Sequence, residues 1–168
     1  GGPYLLALVL EELGSTDAAT ALLEGQLQQE QAPWDTLARE KLVELLMQAE
    51  DYDRAVALVE TTEDPSVRLL EGLVEASYWG PDHERTLRLL ETHFPQTTAT
   101  GGDPELLLFR AVAEARTGAP TWTRLYRALL LDHDASPLHY RGFVFLESTG
   151  LIEQLDPPYR ELDRKSVV

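Results

Sequence analysis

The chain has 168 residues, an apolar fraction of 43% and a formal net charge of −15 at pH 7. This length and composition allow a core of its own and argue against intrinsic disorder. Cysteine is absent, so disulfides and thiolate metal sites are excluded. The acidic excess argues against direct binding of nucleic acid, which needs clustered cations. No apolar run approaches the roughly 18 residues that a membrane-spanning helix needs.

The charge is unevenly divided along the chain. Residues 1–80 carry 16 acids and 4 bases, a net of −12, whereas residues 81–168 carry 13 acids and 10 bases, a net of −3. The first half is therefore expected to attract basic partners. The alternative is that the excess acid only keeps the protein soluble.

Helical periodicity recurs along the whole chain, with Gly, Pro or acidic turns between the segments. The only strand-like run is GFVF at residues 142–145, and the tail from Leu151 is expected to be helical only in part. Residues 95–103, PQTTATGGD, read as a longer loop. The predicted helices are 3–13, one starting near Asp17, 33–49, one starting near Tyr52, one from Pro65 to Tyr78, one ending at Phe94, 104–118, 120–131 and 137–148.

The breaks between helices share one shape. LEELGSTDAATALLEGQL, LMQAEDYDRAVALVE, SYWGPDHERTLRLLETHF and ARTGAPTWTRLYRALLLD each run from an apolar helix end through a small or acidic turn to a second Leu-rich segment. When they are aligned on Ala19, Ala55, Thr86 and Thr123, the intervals are 36, 31 and 37 residues. A fifth turn follows at 148–150. Helix pairs repeating at about 34 residues are typical of tetratricopeptide-type arrays.

DYDRAVALVE at residues 51–60 resembles the start of the second helix of the tetratricopeptide repeat (TPR), with Tyr52 and Ala55 where that family carries an aromatic and a small residue. The repeats are degenerate, and the second unit matches best. The resemblance implies an all-α fold, a right-handed α-solenoid of about nine helices in stacked antiparallel pairs. Its units would be 3–33, 34–64, 65–95, 104–136 and 137–165 in a single domain 1–168. The start at Gly1 without Met leaves open a fragment of a longer chain.

Motifs for chemistry are largely missing. The sequence has no GxxxxGK[ST], GxGxxG or GxSxG, and His83-Glu84 does not continue to HExxH. The best metal candidate is Asp132-His133-Asp134 with His139, since imidazole and carboxylates suit zinc or manganese. The competing interpretation is that Asp134 or Ser136 caps the next helix. We expect no catalytic residues, no cofactor and no metal.

TPR arrays bind peptides or partner domains in a groove lined by the first helix of each unit, so the resemblance implies partner contacts from those helices. The groove would be acidic at its N-terminal end and mixed beyond, which suits a basic or amphipathic segment. The alternative is a solvated face. A clamp for a C-terminal carboxylate is not expected, because Asn is absent and the early units offer only Lys41. The implied contacts are Glu40, Lys41, Glu44, Gln48, Glu71, Glu75, Tyr78, Arg110, Glu114 and Arg116.

We therefore expect a cytoplasmic protein-interaction scaffold or adaptor that binds neither nucleic acid nor membrane directly. Alternatives are a regulatory or sensor domain of a larger bacterial transcription regulator or signalling ATPase and, more remotely, acidic mimicry of nucleic acid. Trp34, Trp79 and Trp122 are expected to fill gaps between units, and an exposed one would be a partner hot spot. The first helix should expose residues 5, 8 and 9, which would favour a homodimer or contact with residues preceding Gly1.

Overall fold

A computed structural model describes residues 2–28, 35–98, 102–132 and 136–159, and over these residues the chain is helical, without a β-sheet. The predicted all-α fold is confirmed. The chain divides into two compact units, Gly1–Gly80 (unit 1) and Pro81–Val168 (unit 2). The helices are α1 (Gly2–Glu12), α2 (Thr16–Leu27), α3 (Asp35–Gln48), α4 (Tyr52–Glu60), α5 (Val67–Trp79), α6 (His83–His93), α7 (Pro104–Thr117), α8 (Trp122–Asp132) and α9 (Ser136–Thr149), followed by a 3-10 helix at Leu151–Gln154.

Unit 1 contains α1 to α5, and each helix packs against the next one along the chain. Helix α3 also contacts α5. The repeat positions Ala19 and Ala55 are fully buried, as expected for small residues that let neighbouring helices approach closely. The division lies between α5 and α6, two helices that the sequence assigns to one repeat. The predicted five repeats within one domain stay a prediction.

Unit 2 is built around α7, which contacts α6, α8 and α9. Its core contains the largest fully buried side chains described, Tyr126 and Phe109. Gly142 of α9 lies directly against the Tyr126 ring, where a Cβ would come within 2.4 Å of Cε2. The strand-like GFVF run lies inside α9. A four-residue β-like pattern is too short to override a helix that buries Phe145 and Leu146 against the rest of the unit.

Helix boundaries follow the caps. Ser66 caps α5 by accepting a hydrogen bond from the Leu69 N–H at 3.2 Å, so this helix begins two residues after Pro65, where the sequence placed its start. Asp103 accepts hydrogen bonds from two N–H groups in the first turn of α7. Gly118 ends that helix in the left-handed conformation at φ 78°. Helix α8 begins at Trp122 rather than at residue 120.

The structure describes two of the three tryptophans, and these two differ in exposure. Trp122 is 3% exposed and packs in the core of unit 2. Trp79, at the end of α5, is 48% exposed. Trp34 lies outside the described residues. None of the helices in the described ranges is both long and apolar enough to cross a membrane.

Candidate partner-binding surface

Helix α3 separates its apolar and polar side chains onto two faces. Leu42 and Leu45 are buried in unit 1, with relative exposures of 2% and 0%. Lys41, Glu44 and Gln48 follow one another at spacings of three and four residues, so they lie together on one side of the helix. Three of the predicted partner contacts are thus brought together on one helix.

Ion pairs join this face of α3 to the two neighbouring first helices. The Lys41 Nζ lies 2.6 Å from the Glu11 Oε2 of α1 and 2.8 Å from the Glu44 Oε1. The other Glu44 oxygen, Oε2, lies 3.7 Å from the Arg68 Nη2 of α5. The four side chains form a row of alternating sign across α1, α3 and α5. Neither Glu11 nor Arg68 was predicted, although opposite charges on successive first helices were a usable signal.

The ion pairs with Glu11 and Glu44 hold Lys41 within this row. Its side chain is only 12% exposed, and burial alone would lower its pKa. Lys41 also donates hydrogen bonds to Glu11 and Glu44, and both carboxylates are negatively charged. These interactions outweigh the effect of burial, so the pKa of Lys41 is raised above its ordinary value. Lys41 therefore stays charged at neutral pH and neutralises part of the acid around it.

Glu40, which was also predicted, points elsewhere. It accepts a hydrogen bond from the Ser66 Oγ at 2.7 Å, and Ser66 is the cap of α5. The neighbouring Arg39 donates from its Nη1 to the Thr62 Oγ1 at 3.3 Å. Both contacts tie α3 to the α4–α5 connection, so Glu40 supports the packing of unit 1 and is not part of the row.

Helix α5 adds two acids beside Arg68. Glu71 is exposed and Glu75 is half-buried, and spacings of three and four residues place both on the face of Arg68. Helix α5 therefore adds carboxylates to a surface that already carries Glu44. Burial, together with the negative charges of Glu50 and Glu75, raises the pKa of Tyr52 at the start of α4.

Tyr78, predicted as a partner contact, is 6% exposed and belongs to the core of unit 1. Its ring meets that of Trp79 edge to face, with centroids 5.0 Å apart and an interplanar angle of 71°. The exposed aromatic side chain at this end of α5 is Trp79, and its ring packs against the buried ring of Tyr78. We refer to the following residues as the charged face of unit 1: Glu11, Lys41, Glu44, Gln48, Arg68, Glu71, Glu75 and Trp79.

In unit 2 the predicted contacts have internal roles. Glu114 is 7% exposed, accepts a hydrogen bond from the Thr121 Oγ1 at 2.6 Å, and pairs with the Arg110 Nε at 3.2 Å. The Arg110 Nη1 also donates to the Thr97 carbonyl at 2.6 Å. This network fixes α7 to the loop before it and the turn after it. Both side chains therefore hold unit 2 together.

Arg116 is exposed but bonded on two sides. Its Nη1 lies 3.0 Å from the His83 Nε2, and its guanidinium lies over the Phe145 ring, 5.1 Å from the centroid. Burial, and then the positive charge of Arg116, lower the pKa of His83 against a smaller opposing effect of Asp82. Arg116 thus links α6, α7 and α9.

No group of three or more potential metal ligands is found within the described ranges. The predicted metal candidate cannot be placed there. His133 and Asp134 lie outside the described residues, and the side chains of Asp132 and His139 do too.

A cleft that the sequence did not indicate opens between α2, α3 and α4, with a volume of about 470 Å³. It is mostly apolar, and at its rim the exposed Arg54 pairs with Glu24 and with Asp51, the latter at 2.9 Å. It has no signal in the sequence because its walls come from three helices. The lining is Glu24, Leu27, Gln28, Leu42, Leu46, Arg54, Ala57, Leu58 and Thr61.

Comparison with known proteins bears on the fold. No protein-family model matches the chain, and no curated protein matches it either. Among solved structures, the chain is similar to the crystal structure of a thermophilic TPR protein from Thermus thermophilus, at 19% sequence identity and a TM-score of 0.55. The match covers 98% of this chain and 95% of that one. At this identity the similarity shows the fold alone, and the chain has the TPR-like fold that its repeats predicted.

Proposed function

We propose that this protein is an interaction scaffold that binds a basic or amphipathic segment of a partner protein on the charged face of unit 1. The observation that carries the proposal is the row from Glu11 through Lys41 and Glu44 to Arg68. Its two bases are already shared among carboxylates, and α5 adds two further acids. The face therefore has a net charge of −2 within a unit of net charge −12.

Two exposed side chains suit the apolar part of such a segment. Trp79 is 48% exposed at the C-terminal end of α5, and Leu37 is 40% exposed in the first turn of α3, one turn before Lys41. Aromatic side chains at partly exposed positions are frequent binding hot spots. A partner segment with Lys or Arg between apolar residues would complement both the charge and these anchors.

The charge should act mainly on the rate of association. The carboxylates lie at the surface, where charge complementarity steers the encounter and each ion pair adds little to the final affinity. Binding should therefore weaken as salt is raised from about 50 to 500 mM, since the screening length shortens over that range.

The test is selection of 15-residue peptides from a random phage-displayed library on the immobilised chain, followed by binding measurements with the synthetic peptides. We expect enrichment of Lys and Arg interspersed with apolar residues. The double variant Glu44→Lys/Glu75→Lys should weaken binding about tenfold or more, and high salt should do the same.

The matched control is the double variant Glu12→Lys/Glu63→Lys, which changes the net charge of unit 1 by the same amount at two exposed positions outside the charged face. It should retain most of the affinity. Selected peptides that are neutral or acidic, or equal losses in the two double variants, would contradict the proposal, because long-range charge alone explains an equal loss.

We also propose that the protein works in the cytoplasm, because a chain without cysteine needs no oxidising compartment. Fractionation of the source cells with an antibody against the chain tests this. Recovery of the protein in the extracellular or periplasmic fraction would refute it.

A further inference from the structure

The two bases of the charged face are held very differently. The Lys41 Nζ lies 2.6 Å from a carboxylate oxygen of Glu11 and 2.8 Å from one of Glu44, and the Lys41 side chain is 12% exposed. The Arg68 Nη2 lies 3.7 Å from the Glu44 Oε2, and the Arg68 side chain is 69% exposed. Lys41 is therefore fixed within unit 1, whereas most of Arg68 is in contact with solvent.

The distance decides what kind of contact Arg68 makes with Glu44. A hydrogen bond between a guanidinium and a carboxylate joins N and O at about 2.7–2.9 Å, and a contact beyond about 3.5 Å is not a hydrogen bond. At 3.7 Å, Arg68 supplies positive charge to Glu44 without donating a hydrogen bond. Exposed ion pairs of this kind contribute little to stability, so this one can open at little cost.

Glu44 is oriented for an exchange of partners. Its Oε1 accepts a hydrogen bond from the Lys41 Nζ at 2.8 Å, which fixes one side of the carboxylate. Its Oε2 is the oxygen on the side of Arg68, and the Glu44 side chain is 39% exposed. This oxygen can therefore accept a hydrogen bond from a base that arrives from solvent.

We propose that Arg68 is an internal competitor of the partner: in the free protein it neutralises the Glu44 Oε2, and a Lys or Arg of the bound segment replaces it there. The inference rests on the proposed function, because it requires that a basic segment binds the charged face. The incoming base gains a charge-assisted hydrogen bond where Arg68 makes none. The contact between Arg68 and Glu44 is thus autoinhibitory, since it must open before this carboxylate can bind the segment.

The displaced guanidinium stays close to negative charge. Glu71 lies three residues after Arg68 on α5, and side chains at this spacing are neighbours on a helix surface. Lys41 has no comparable alternative, because its withdrawal would leave the carboxylates of Glu11 and Glu44 close together at a partly buried site. The exchange is therefore confined to Arg68.

The probe is a fluorescein-labelled 14-residue peptide of Ala, Leu and Lys, with Lys at every third or fourth position. Its affinity for the whole chain is measured by fluorescence anisotropy at about 50 mM salt, where charges are only weakly screened. Arg68→Gln should bind this peptide about two- to fivefold more tightly than the wild type, which is the gain expected when one exposed ion pair no longer has to open.

The matched control is Arg54→Gln. It also removes one positive charge from unit 1, at a side chain that is 54% exposed and pairs with Glu24 and Asp51 outside the charged face. Long-range attraction rises equally in the two variants, so Arg54→Gln should change the affinity little. Equal gains would overturn the inference, because net charge alone would explain them. A loss of affinity in Arg68→Gln would also overturn it, since Arg68 would then bind the partner itself.

A double-mutant cycle locates the competition at Glu44. Glu44→Gln removes the charge for which the two bases compete and should weaken peptide binding several-fold. In that background Arg68→Gln should raise the affinity no more than Arg54→Gln does. The full gain from Arg68→Gln without the Glu44 charge would contradict the inference. Circular dichroism checks that each variant folds; should Glu44→Gln be unstable, the two arginine variants decide alone.

The inference and the proposed function can fail separately. Absence of saturable peptide binding, or binding that Glu44→Lys/Glu75→Lys leaves intact, would refute the proposed function and this inference with it. Binding that the same double variant abolishes, together with equal affinities of the wild type and Arg68→Gln, would refute the inference alone.

Discussion

The two units of this chain use their charged residues differently. In unit 1 the bases are few, and Lys41 bridges carboxylates of two helices, Glu11 of α1 and Glu44 of α3. In unit 2 acids and bases nearly balance, and arginines lie over aromatic rings. The guanidinium of Arg116 is 5.1 Å from the Phe145 centroid, and that of Arg127 is 5.0 Å from the Tyr159 centroid.

This difference separates a unit with a large excess of acid from one whose charged side chains mostly pair within it. An arginine that stacks on a ring and pairs with an acid in its own unit contributes to stability. A unit whose acids outnumber its bases fourfold has charge left for a partner. The proposed binding surface therefore lies on unit 1, and we expect unit 2 to respond mainly to changes in packing.

The largest effect is expected from Gly142→Ala in unit 2. The new Cβ would lie 2.4 Å from the Tyr126 Cε2 and 2.6 Å from its hydroxyl oxygen. Tyr126 is 1% exposed, so its ring cannot move aside without disturbing the core. We expect a loss of about 2–3 kcal/mol in the free energy of unfolding, measured by urea denaturation.

Gly25→Ala in α2 is the matched control, because nothing lies within 4 Å of the Cβ that an alanine would add there. Alanine in a helix interior is favoured over glycine by up to about 1 kcal/mol, so this variant should be as stable as the wild type or more stable. Hydrogen exchange should show the loss from Gly142→Ala in the helices of unit 2. An equal loss in both variants would mean that close packing at Tyr126 is not the cause.

A smaller effect is expected from Lys41→Met in unit 1. The change leaves the carboxylates of Glu11 and Glu44 close together without the ammonium between them, at a partly buried site. We expect destabilisation by about 1–2 kcal/mol, between the values for exposed and for buried ion pairs. Arg54→Met, which removes a cation whose side chain is 54% exposed, should have no measurable effect.

The sign of the pH dependence follows from the pKa of Lys41. That pKa is raised in the folded protein, so the contribution of Lys41 is complete below its unfolded pKa and is lost as the pH rises through the folded value. Thermal stability between about pH 9 and 12 should fall more steeply for the wild type than for Lys41→Met, since only the wild type loses this charge. Parallel curves would contradict a contribution of the Lys41 ion pairs to stability.

The sequence predicted the helices because their signals are local. Leu and Ala periodicity marks each segment, and the recurrence at Ala19, Ala55, Thr86 and Thr123 shows the repeat. The same signals do not fix the helix boundaries, since a proline near a helix start does not decide which residue caps it. At α5 the hydroxyl of Ser66 decides.

The sequence predicted which helices carry the candidate site, but not which side of its helix each residue faces. Lys41 and Glu44 share a face because their spacing is helical, whereas Tyr78 lies on the same helix as Glu75 but is buried. The burial of Glu114 was even harder to predict from the sequence. Its carboxylate is held inside by Arg110 and by Thr121 in the following turn, and such a contact between helix and turn has no local signal.

A third prediction concerns the effect of acidic pH on the stability of unit 2. Arg116 donates to the His83 Nε2, which puts the proton of the neutral ring on Nδ1, a buried atom without an acceptor among the described residues. The pKa of His83 is lowered in the folded protein, so the unfolded chain takes up its proton first as the pH falls below about 6.5. The contribution of His83 to stability is therefore lost as the pH falls through this range.

The variant His83→Gln keeps an acceptor for Arg116 and does not titrate. Between about pH 7 and 5 the melting temperature of the wild type should fall further than that of His83→Gln, and the difference should close near pH 7. A constant offset between the two melting curves would show that the ring acts through packing alone.

The smallest predicted effect tests whether unit 2 uses arginine for its shape. The Arg141 Nη1 lies 2.7 Å from the Glu105 Oε1, and the guanidinium lies over the Phe109 ring, 5.5 Å from the centroid. Arg141→Lys keeps the charge but loses the flat guanidinium, and we expect a loss of about 0.5 kcal/mol in chemical denaturation. Arg54→Lys in unit 1, at an exposed ion pair, should be neutral. If both substitutions are neutral, arginine in unit 2 acts only as a positive charge, and the contrast with unit 1 is then one of charge balance alone.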